Sequence, residues 1–548
     1  MSAPAHDYVI VGAGSAGCVL ANRLSADPAV RVCLLEAGPR DRNPLIHIPM
    51  GILWMMRSRR LNWHYHTTPQ PRLANRRLYW PRGKTLGGSS ASNAMCYTRG
   101  HPGDYDGWRD LGNPGWGYAD VLPYFKRAEH RERGADAFHG VGGPLNVAPL
   151  RSANPLSRAF VEAGAACGLP VNDDFSGAEQ EGVGFYEVTQ IGGERCSTAR
   201  AYLRPAEGRS NLTVLTGALA ARVVFDGRRA AGVEYLRDGE RRRVDARREV
   251  ILSGGAINSP QLLLLSGVGP AQALRELGIP VVHDAREVGR NLQDHLDVIV
   301  VHGCRQPVSY GFTAASALQL PRQILRYFRE RRGLLTTNGA EAGGFARSRP
   351  ELPAPDLQFH FTPLPLSNHS RDLGFMLRHG YSLHVCDLRP KSRGHVALAS
   401  ADPRAHPVIE PDYLAEPQDL EQLLAGVKLA RRILAAPPFD AFRGEELRPG
   451  PGVQDDDALR EFVRTRAETI YHPVGTCRMG SDERAVVDPE LRVKGVEALR
   501  VVDASVMPTL VGGNTNAPTV MIAEKAADLI LAETGRGGPP RGAARPPA

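Results

Sequence analysis

The sequence predicts an α/β protein, a Rossmann-type dinucleotide-binding domain joined to a second, α+β domain. Three observations carry this. A short apolar run, Asp7–Val11, passes straight into Gly12–Ala13–Gly14–Ser15–Ala16–Gly17, and the residues after it have helical apolar spacing to about Ser25. A second apolar run, Val32–Leu35, ends in Glu36, nineteen residues beyond Gly17. The chain of 548 residues exceeds one ordinary core, so a second domain is expected.

Each part of the first motif has a physical task. Gly12 permits the tight turn, Gly14 lets backbone approach a pyrophosphate, and Gly17 lets helix pack on strand. The helix N-terminus offers free N–H groups and a positive dipole end to phosphates. Glu36 is placed to accept hydrogen bonds from a ribose diol, and its charge would repel a 2′-phosphate. A lone GxGxxG is weak evidence; with a strand before it, a helix after it and an acid at this distance it is strong. The competing reading is a Gly-rich turn with no ligand.

Bulk composition narrows the class. Hydrophobic residues make up 42% and charged residues 23%, the balance of a soluble globular protein. No run of about eighteen uncharged apolar residues occurs, so a spanning helix is not expected. Neither a basic leader nor an apolar signal core precedes the first strand, which makes the cytoplasm the expected compartment. Eight cysteines are scattered without CxxC pairs, which fits reduced thiols better than a disulfide frame or zinc site, and no metal is expected. The net charge is +8, with arginine dense over 228–248 and 322–332. This reads as a solvated basic surface. No aromatic-basic groove suggests nucleic acid, but a basic face suits an anionic membrane surface.

Along the chain, residues 39–82 leave regular structure. Within them Ile46–Arg60 is apolar and then basic, and reads as a lid, an interface, a membrane contact or plain core. Strand-like pieces at Leu212–Leu215, Ala220–Phe225, Ala231–Tyr235 and Arg242–Asp245 predict a meander, with hairpin turns at Asp226–Gly227 and Asp238–Gly239. Val250–Leu252 returns a buried strand into Ser253–Gly254–Gly255. Residues 298–470 change character, with strands such as Leu357–Phe361 and Leu383–Val385 among several helices. The expected division is 1–150, 200–297 and 485–533 for the dinucleotide domain, and 151–199 and 298–484 for the substrate domain. The Gly/Pro/Arg-rich tail, 534–548, is expected to be disordered.

Several segments resemble one family, the glucose–methanol–choline (GMC) flavoprotein oxidoreductases. They are the N-terminal fingerprint, Gly83–Lys84–Thr85–Leu86–Gly87–Gly88–Ser89–Ser90–Ala91–Ser92–Asn93, the stretch from Gly255–Ala256–Ile257–Asn258–Ser259–Pro260 through Ser266–Gly267–Val268–Gly269, Val288–Gly289–Arg290–Asn291–Leu292–Gln293–Asp294–His295, Tyr471–His472–Pro473–Val474–Gly475–Thr476, and Gly512–Gly513–Asn514–Thr515–Asn516–Ala517–Pro518–Thr519. They span nearly the whole chain and look most like the bacterial branch of choline dehydrogenase-like and aliphatic alcohol dehydrogenases. The resemblance implies the GMC fold, FAD as cofactor, and a primary alcohol oxidised to the aldehyde, with electrons passed to a quinone or artificial acceptor. Its alternatives are an oxidase using O₂, a choline dehydrogenase, a hydroxynitrile lyase-type protein that binds FAD without redox use, and a non-catalytic flavin-binding protein.

The resemblance also assigns residues. His472 matches the catalytic histidine, and imidazole suits removal of a hydroxyl proton because its pKa lies near neutrality. Asn516 matches the partner position, where a neutral amide can hold the substrate oxygen but cannot act as a base. FAD contacts are implied at Gly12, Gly14, Ser15, Ala16, Gly17, Glu36 and Ala37; at Gly83, Leu86, Gly87, Gly88, Ser90, Asn93, Ala94, Met95 and Cys96; and at Val223, Tyr471, Asp503, Ala504, Pro518 and Thr519. Some relatives attach the flavin to a histidine; Ser92 stands at the matching position here, which implies non-covalent FAD. Pro518 sits in the first turn of a last helix running from Thr519 to about Leu531, whose N-terminus would stabilise negative charge on reduced flavin. Asp503 reads equally as a helix cap. A choline site needs an aromatic cage and a carboxylate; Glu341 could supply the carboxylate or be structural. Peripheral contact with the inner membrane face, through Ile46–Arg60 and its arginines 57, 59 and 60, is a further expectation.

Overall fold

The computed structural model describes residues 6–368, 372–533 and 535. The expected disordered tail therefore lies outside the described residues apart from Gly535. Two sheets organise the chain. The first has a parallel part, in the order Leu212–Thr216, Val32–Glu36, His6–Val11, the end of Glu240–Leu252, and Leu499–Val501. His6–Val11 and Val32–Glu36 are buried along their whole length, which is why Tyr8–Val11 and Val32–Leu35 read as unbroken apolar runs. Helices Ser15–Leu24 and Asn516–Glu533 pack together against this sheet. The buried Glu524 joins them to a third helix through Arg23 at 2.7 Å and Arg127 at 2.9 Å.

The meander is real but differently bounded. Leu219–Asp226, Arg229–Arg237 and the first half of Glu240–Leu252 are antiparallel neighbours. Asp238 and Gly239 both take positive φ, 54° and 82°, as the two-residue hairpin turn requires. The expected separate pieces at Arg242–Asp245 and Val250–Leu252 form one strand that leaves the meander and enters the parallel sheet. Leu212–Leu215 does not belong to the meander. It lies parallel to Val32–Glu36, and after it Gly217 and Ala218 donate their N–H groups to the carbonyls of Gly38 and Glu36. That pairing holds the strand beside the acid-bearing edge before the chain turns away.

The second sheet is antiparallel. Its order is Arg443–Arg448, Leu296–Cys304, Gly380–Asp387, Leu357–Thr362, Ala342–Ala346 and Gly182–Phe185, with Glu468–Thr469 also pairing to Leu296–Cys304. Helices Pro155–Ala166 and Pro417–Ala435 pack on it, with Phe160 stacked on Phe361 at 5.0 Å and Tyr381 on Phe439 at 4.9 Å. Tyr65, Leu73, Leu78 and Trp80 join this second core. They lie inside the 1–150 segment expected to serve the dinucleotide domain, and the strand Leu296–Cys304 begins before the expected break at 297/298. Residues 39–82 carry short elements, helices Pro44–His47 and Ile52–Met55 and the strand pair Tyr65–His66 and Tyr79–Trp80. No helix among the described residues is long and apolar enough to cross a membrane.

Candidate active site

One continuous cavity runs from the glycine fingerprint to His472. At its first end the three glycines divide their work. A Cβ on Gly12 would come within 2.5 Å of the Ser253 carbonyl oxygen, and one on Gly17 within 1.8 Å of the Gly12 carbonyl oxygen. A Cβ on Gly14 would meet nothing nearer than 4.0 Å, so Gly14 offers bare backbone to the cavity. Glu36 is buried and accepts from the Ala13 N–H at 3.0 Å and the Gly38 N–H at 2.7 Å. Burial pushes its carboxyl up to about 7. A buried acid in that position is suited to further hydroxyl donors, the chemistry of a ribose diol. These features fit FAD.

The middle of the cavity is formed by 83–96. Gly87 donates its N–H to the Ala13 carbonyl at 2.7 Å, and Gly88, at φ +52°, lies so close to Gly14 that a Cβ would stand 2.7 Å from the Gly14 Cα. The two glycine turns thus fold onto each other. Gly83, Gly88, Asn93, Ala94, Met95 and Cys96 line the cavity, as do Ser89 and Ser92. Asp503 also lines it and is a cap. One carboxylate oxygen accepts from the Ser505 N–H at 2.8 Å, the other from the Gly255 N–H at 2.8 Å and the Ser259 hydroxyl at 2.6 Å. The cap reading of Asp503 is seen directly, on a residue that also lies on the cavity wall.

At the far end, long-range bonds hold His472. Tyr471 sits at φ +72°, an uncommon conformation for a side chain of its size. Arg82 clamps its carbonyl at 2.7 Å and the Thr469 hydroxyl takes its N–H at 2.8 Å. The His472 N–H donates to Asp294 at 2.7 Å. Asp294 is buried, also accepts from the Tyr413 and Thr469 hydroxyls, and is pushed up to about 6 by burial. The His472 ring lies between two partners. Its Nδ1 is 2.9 Å from His295 Nδ1, and its Nε2 is 3.3 Å from the Asn514 amide nitrogen.

This network assigns the tautomer. The Asn514 side-chain oxygen accepts from the Thr98 hydroxyl and the Gln358 amide, both at 3.1 Å, so its NH₂ faces His472. Nε2 must then present a lone pair, and the proton sits on Nδ1, donated to His295. Burial holds His295 down at about 3, so it stays neutral and can accept. Burial, reinforced by His295, His360 and Arg82, holds His472 well below the ordinary histidine value. The resting ring is a neutral base with its lone pair on the Asn514 side.

Most of the assigned residues line this cavity: Gly12, Gly14, Ser15, Ala16, Glu36, Ala37, Gly83, Gly88, Asn93–Cys96, Tyr471, His472, Asp503, Ala504, Asn516 and Thr519. Six do not. Gly17 supports the turn beneath it, and Leu86 is buried in the first core. Gly87 bonds to Ala13, and Ser90 donates to the Gly87 carbonyl at 2.6 Å. Val223 points into the meander's core, where its strand reaches the cavity only through Leu219 and Ala220. Pro518 is buried in the last helix, which starts at Asn516, three residues before the expected Thr519. Asn516 lines the cavity, but its amide oxygen accepts from the Ser15 hydroxyl at 2.7 Å, and the amide beside His472 is that of Asn514. Two asparagines two residues apart carry no sequence signal for which one turns toward the histidine. His295, Arg82, Gln358 and Ala218 were also not assigned. The Gly254–Gly255 pair after a buried strand could have marked the cavity wall it forms.

Comparisons with known proteins agree with this architecture. GMC oxidoreductase family models match residues 6–297 and 390–523. The chain is 52% identical to an alcohol dehydrogenase [acceptor] of Pseudomonas putida over 96% of each chain. It is 49% identical to the mitochondrial choline dehydrogenase of Mus musculus, covering 96% of this chain and 89% of that one. Among solved structures it is similar to the pyridoxine 4-oxidase of Mesorbium loti, with TM-score 0.87 and 34% identity over 95% and 98% of the two chains. It is also similar to an Aspergillus oryzae formate oxidase, with TM-score 0.90 and 27% identity over 98% and 99%. A glycine-cradled dinucleotide site that runs into a buried histidine defines a flavin-dependent oxidoreductase. The chain belongs to the GMC oxidoreductase family, whose enzymes are FAD-dependent.

Proposed function

We propose that this protein oxidises an uncharged primary alcohol to the aldehyde, with His472 as the base. The carrying observation is His472 Nε2, held as a hydrogen-bond acceptor on the cavity by Asn514 and His295. The substrate hydroxyl displaces the Asn514 amide from the Nε2 lone pair and gives its proton to Nε2, while Nδ1–H stays hydrogen-bonded to His295, which spreads the charge that forms. FAD, when bound, supplies the acceptor for the hydride. Asn516, at the N-terminus of the last helix, lines the cavity with its amide oxygen held by Ser15, which leaves its NH₂ to orient the substrate oxygen. The side chains of Ile52, Leu53, Met56 and Leu366 give the cavity an apolar wall.

Substrate charge follows from the carboxylates. Among the described residues Glu36 and Asp503 are the acids that line the cavity, and both are bonded to backbone N–H groups. Glu341 is buried among Asn154, Ser157, Tyr310 and Thr337, which take up both its oxygens. Among the described residues lining the cavity no acid is left to balance a quaternary ammonium, which favours neutral alcohols over choline. FAD is held without a covalent bond, since Ser92 is not a nucleophile toward it and burial pushes the Cys96 thiol up to about 12. The electrons go to a quinone or artificial acceptor; the Pseudomonas putida relative is named for an acceptor without specifying it. The test is anaerobic bleaching of the flavin across straight-chain alcohols, aryl alcohols and choline. Fast bleaching by choline alone would overturn the substrate reading; rapid O₂ consumption would overturn the acceptor; flavin left on acid-precipitated protein would overturn non-covalent binding.

A further inference from the structure

The segment Ile46–Arg60 is not where this molecule offers an apolar face. Ile46, Met50, Leu53 and Met55 turn inward, and Trp54 is the exposed large apolar residue there. The helix Ala314–Glu330 is different. Of its seventeen residues only Tyr327 is buried, and Leu318, Leu320, Ile324, Leu325 and Phe328 are all exposed, Leu318 by 85%. At about 100° per residue, Ile324, Phe328, Leu325 and Leu318 fall within an arc of roughly 120°. Tyr327, Gln323 and Ser316, which meet the body of the protein, lie on the opposite side. Arg322, Arg326 and Arg329 flank the arc, and Arg331 and Arg332 follow the helix. Glu330 is the only acid on it and pairs with Arg326 at 3.2 Å. Arg331 pairs with Glu194. Arg322 and Arg329 have no ion-pair partner among the described residues.

We propose that Ala314–Glu330 is an interfacial docking helix that lies in the headgroup layer of an anionic membrane. Leu318, Ile324, Leu325 and Phe328 enter the acyl boundary, and Arg322 and Arg329 meet lipid phosphates. An apolar arc flanked by arginine is the composition such surfaces need. A second copy of this chain fits less well, because an antiparallel two-fold contact would set the arginine flank of each copy against its equal. The helix packs on the turn Leu334–Thr336, and Leu334 and Leu335 rest against Met50, Leu53 and Leu366. Leu53 and Leu366 line the cavity, so the helix is joined to its wall through that turn. Exposed Phe312 and Leu377 lie in the same neighbourhood, joined by the Phe312 N–H to the Met376 carbonyl at 2.7 Å. The proposal does not depend on which alcohol or acceptor the enzyme uses.

The test is flotation of the FAD-loaded protein with vesicles of phosphatidylcholine mixed with phosphatidylglycerol, against phosphatidylcholine alone. Binding is expected to the mixed vesicles at low salt and to fall at high salt. Arg322→Gln with Arg329→Gln should weaken it by roughly thirtyfold, at about 1 kcal/mol per arginine. Leu325→Glu with Phe328→Glu should abolish it while flavin absorbance and anaerobic bleaching stay normal. Charge reversal at Arg57, Arg59 and Arg60 should matter less than either. No flotation of the wild type at low salt overturns the proposal. So does equal flotation of the Leu325/Phe328 variant, or a dimer in solution that this variant converts to monomer without any vesicle binding.

Discussion

The two ends of the cavity are built by different means. At the nucleotide end, strand, glycine turn, helix and acid come from residues 6–36, and most of the bonds there are to backbone: Ala13 and Gly38 to Glu36, Gly87 to Ala13. At the reaction end, Arg82, Asp294, His295, Gln358, His472 and Asn514 meet from separate parts of the chain; Arg82 and Asp294 hold the backbone at 471–472, and the bonds that set the His472 ring run side chain to side chain. A backbone site tolerates many side chains but no extra atom. A side-chain site tolerates small shifts in backbone but depends on each partner's protonation. The two ends should therefore fail in different ways.

The largest expected effect lies at the reaction end. His472→Ala should keep FAD yet slow anaerobic bleaching by alcohol by roughly a hundredfold or more, the size of a lost general base; stopped-flow absorbance reads it, and near-normal bleaching would put the base elsewhere. The nucleotide end should answer in the opposite sense. Gly17→Ala forces a Cβ against the Gly12 carbonyl, costs about 1–3 kcal/mol of overpacking, and should yield protein that loses FAD on gel filtration while His472 is untouched. If that variant kept its flavin, the glycine would not be closing the turn.

Smaller effects sharpen the comparison. His472 is held below its ordinary value, so the bleaching rate should rise with pH only through a limb below 6.5 and be flat across neutrality. Asn514→Asp should move that limb to higher pH, because a carboxylate facing Nε2 favours the protonated ring. A limb that stays put would remove Asn514 from the tautomer argument. Asn516→Ala should raise KM for alcohol with a modest change in kcat, by roughly tenfold at most. Smallest is the linkage at Glu36. Its carboxyl titrates near 7 in the protein without cofactor, and ribose hydroxyls favour the ionised form, so FAD affinity should fall as pH drops below about 7 and level off above it. Glu36→Gln should flatten that profile; a slope unchanged in the variant would assign it to another group.

Much of the nucleotide end was legible because its signal is local. Gly12, Gly14, Gly17 and Glu36 act through a turn and two strand ends, and the spacing that announces them is the spacing that builds them. His472 was legible only through the likeness of Tyr471–Thr476 to a family segment. Its ring partners were not, because Thr98 and Gln358, which orient Asn514, lie 416 and 156 residues away in sequence. Leu212–Leu215 shows the same limit among strands. Alternating residues announce a strand, but the partner that makes it parallel to Val32–Glu36 is set by the hydrogen bonds after Thr216. The helix at 314–330 was visible only as a dense run of arginine; that its leucines face outward appeared with the fold.

The sequence by itself determined the first sheet's core, the dinucleotide turn and the acid at its edge, since local periodicity and glycine geometry depend on neighbours a few residues apart. Only the tertiary structure decided which asparagine meets His472, which nitrogen of that ring carries the proton, and which apolar residues are left for solvent or lipid. Each of these depends on the direction in which side chains far apart in the chain finally point, and a linear pattern does not carry direction.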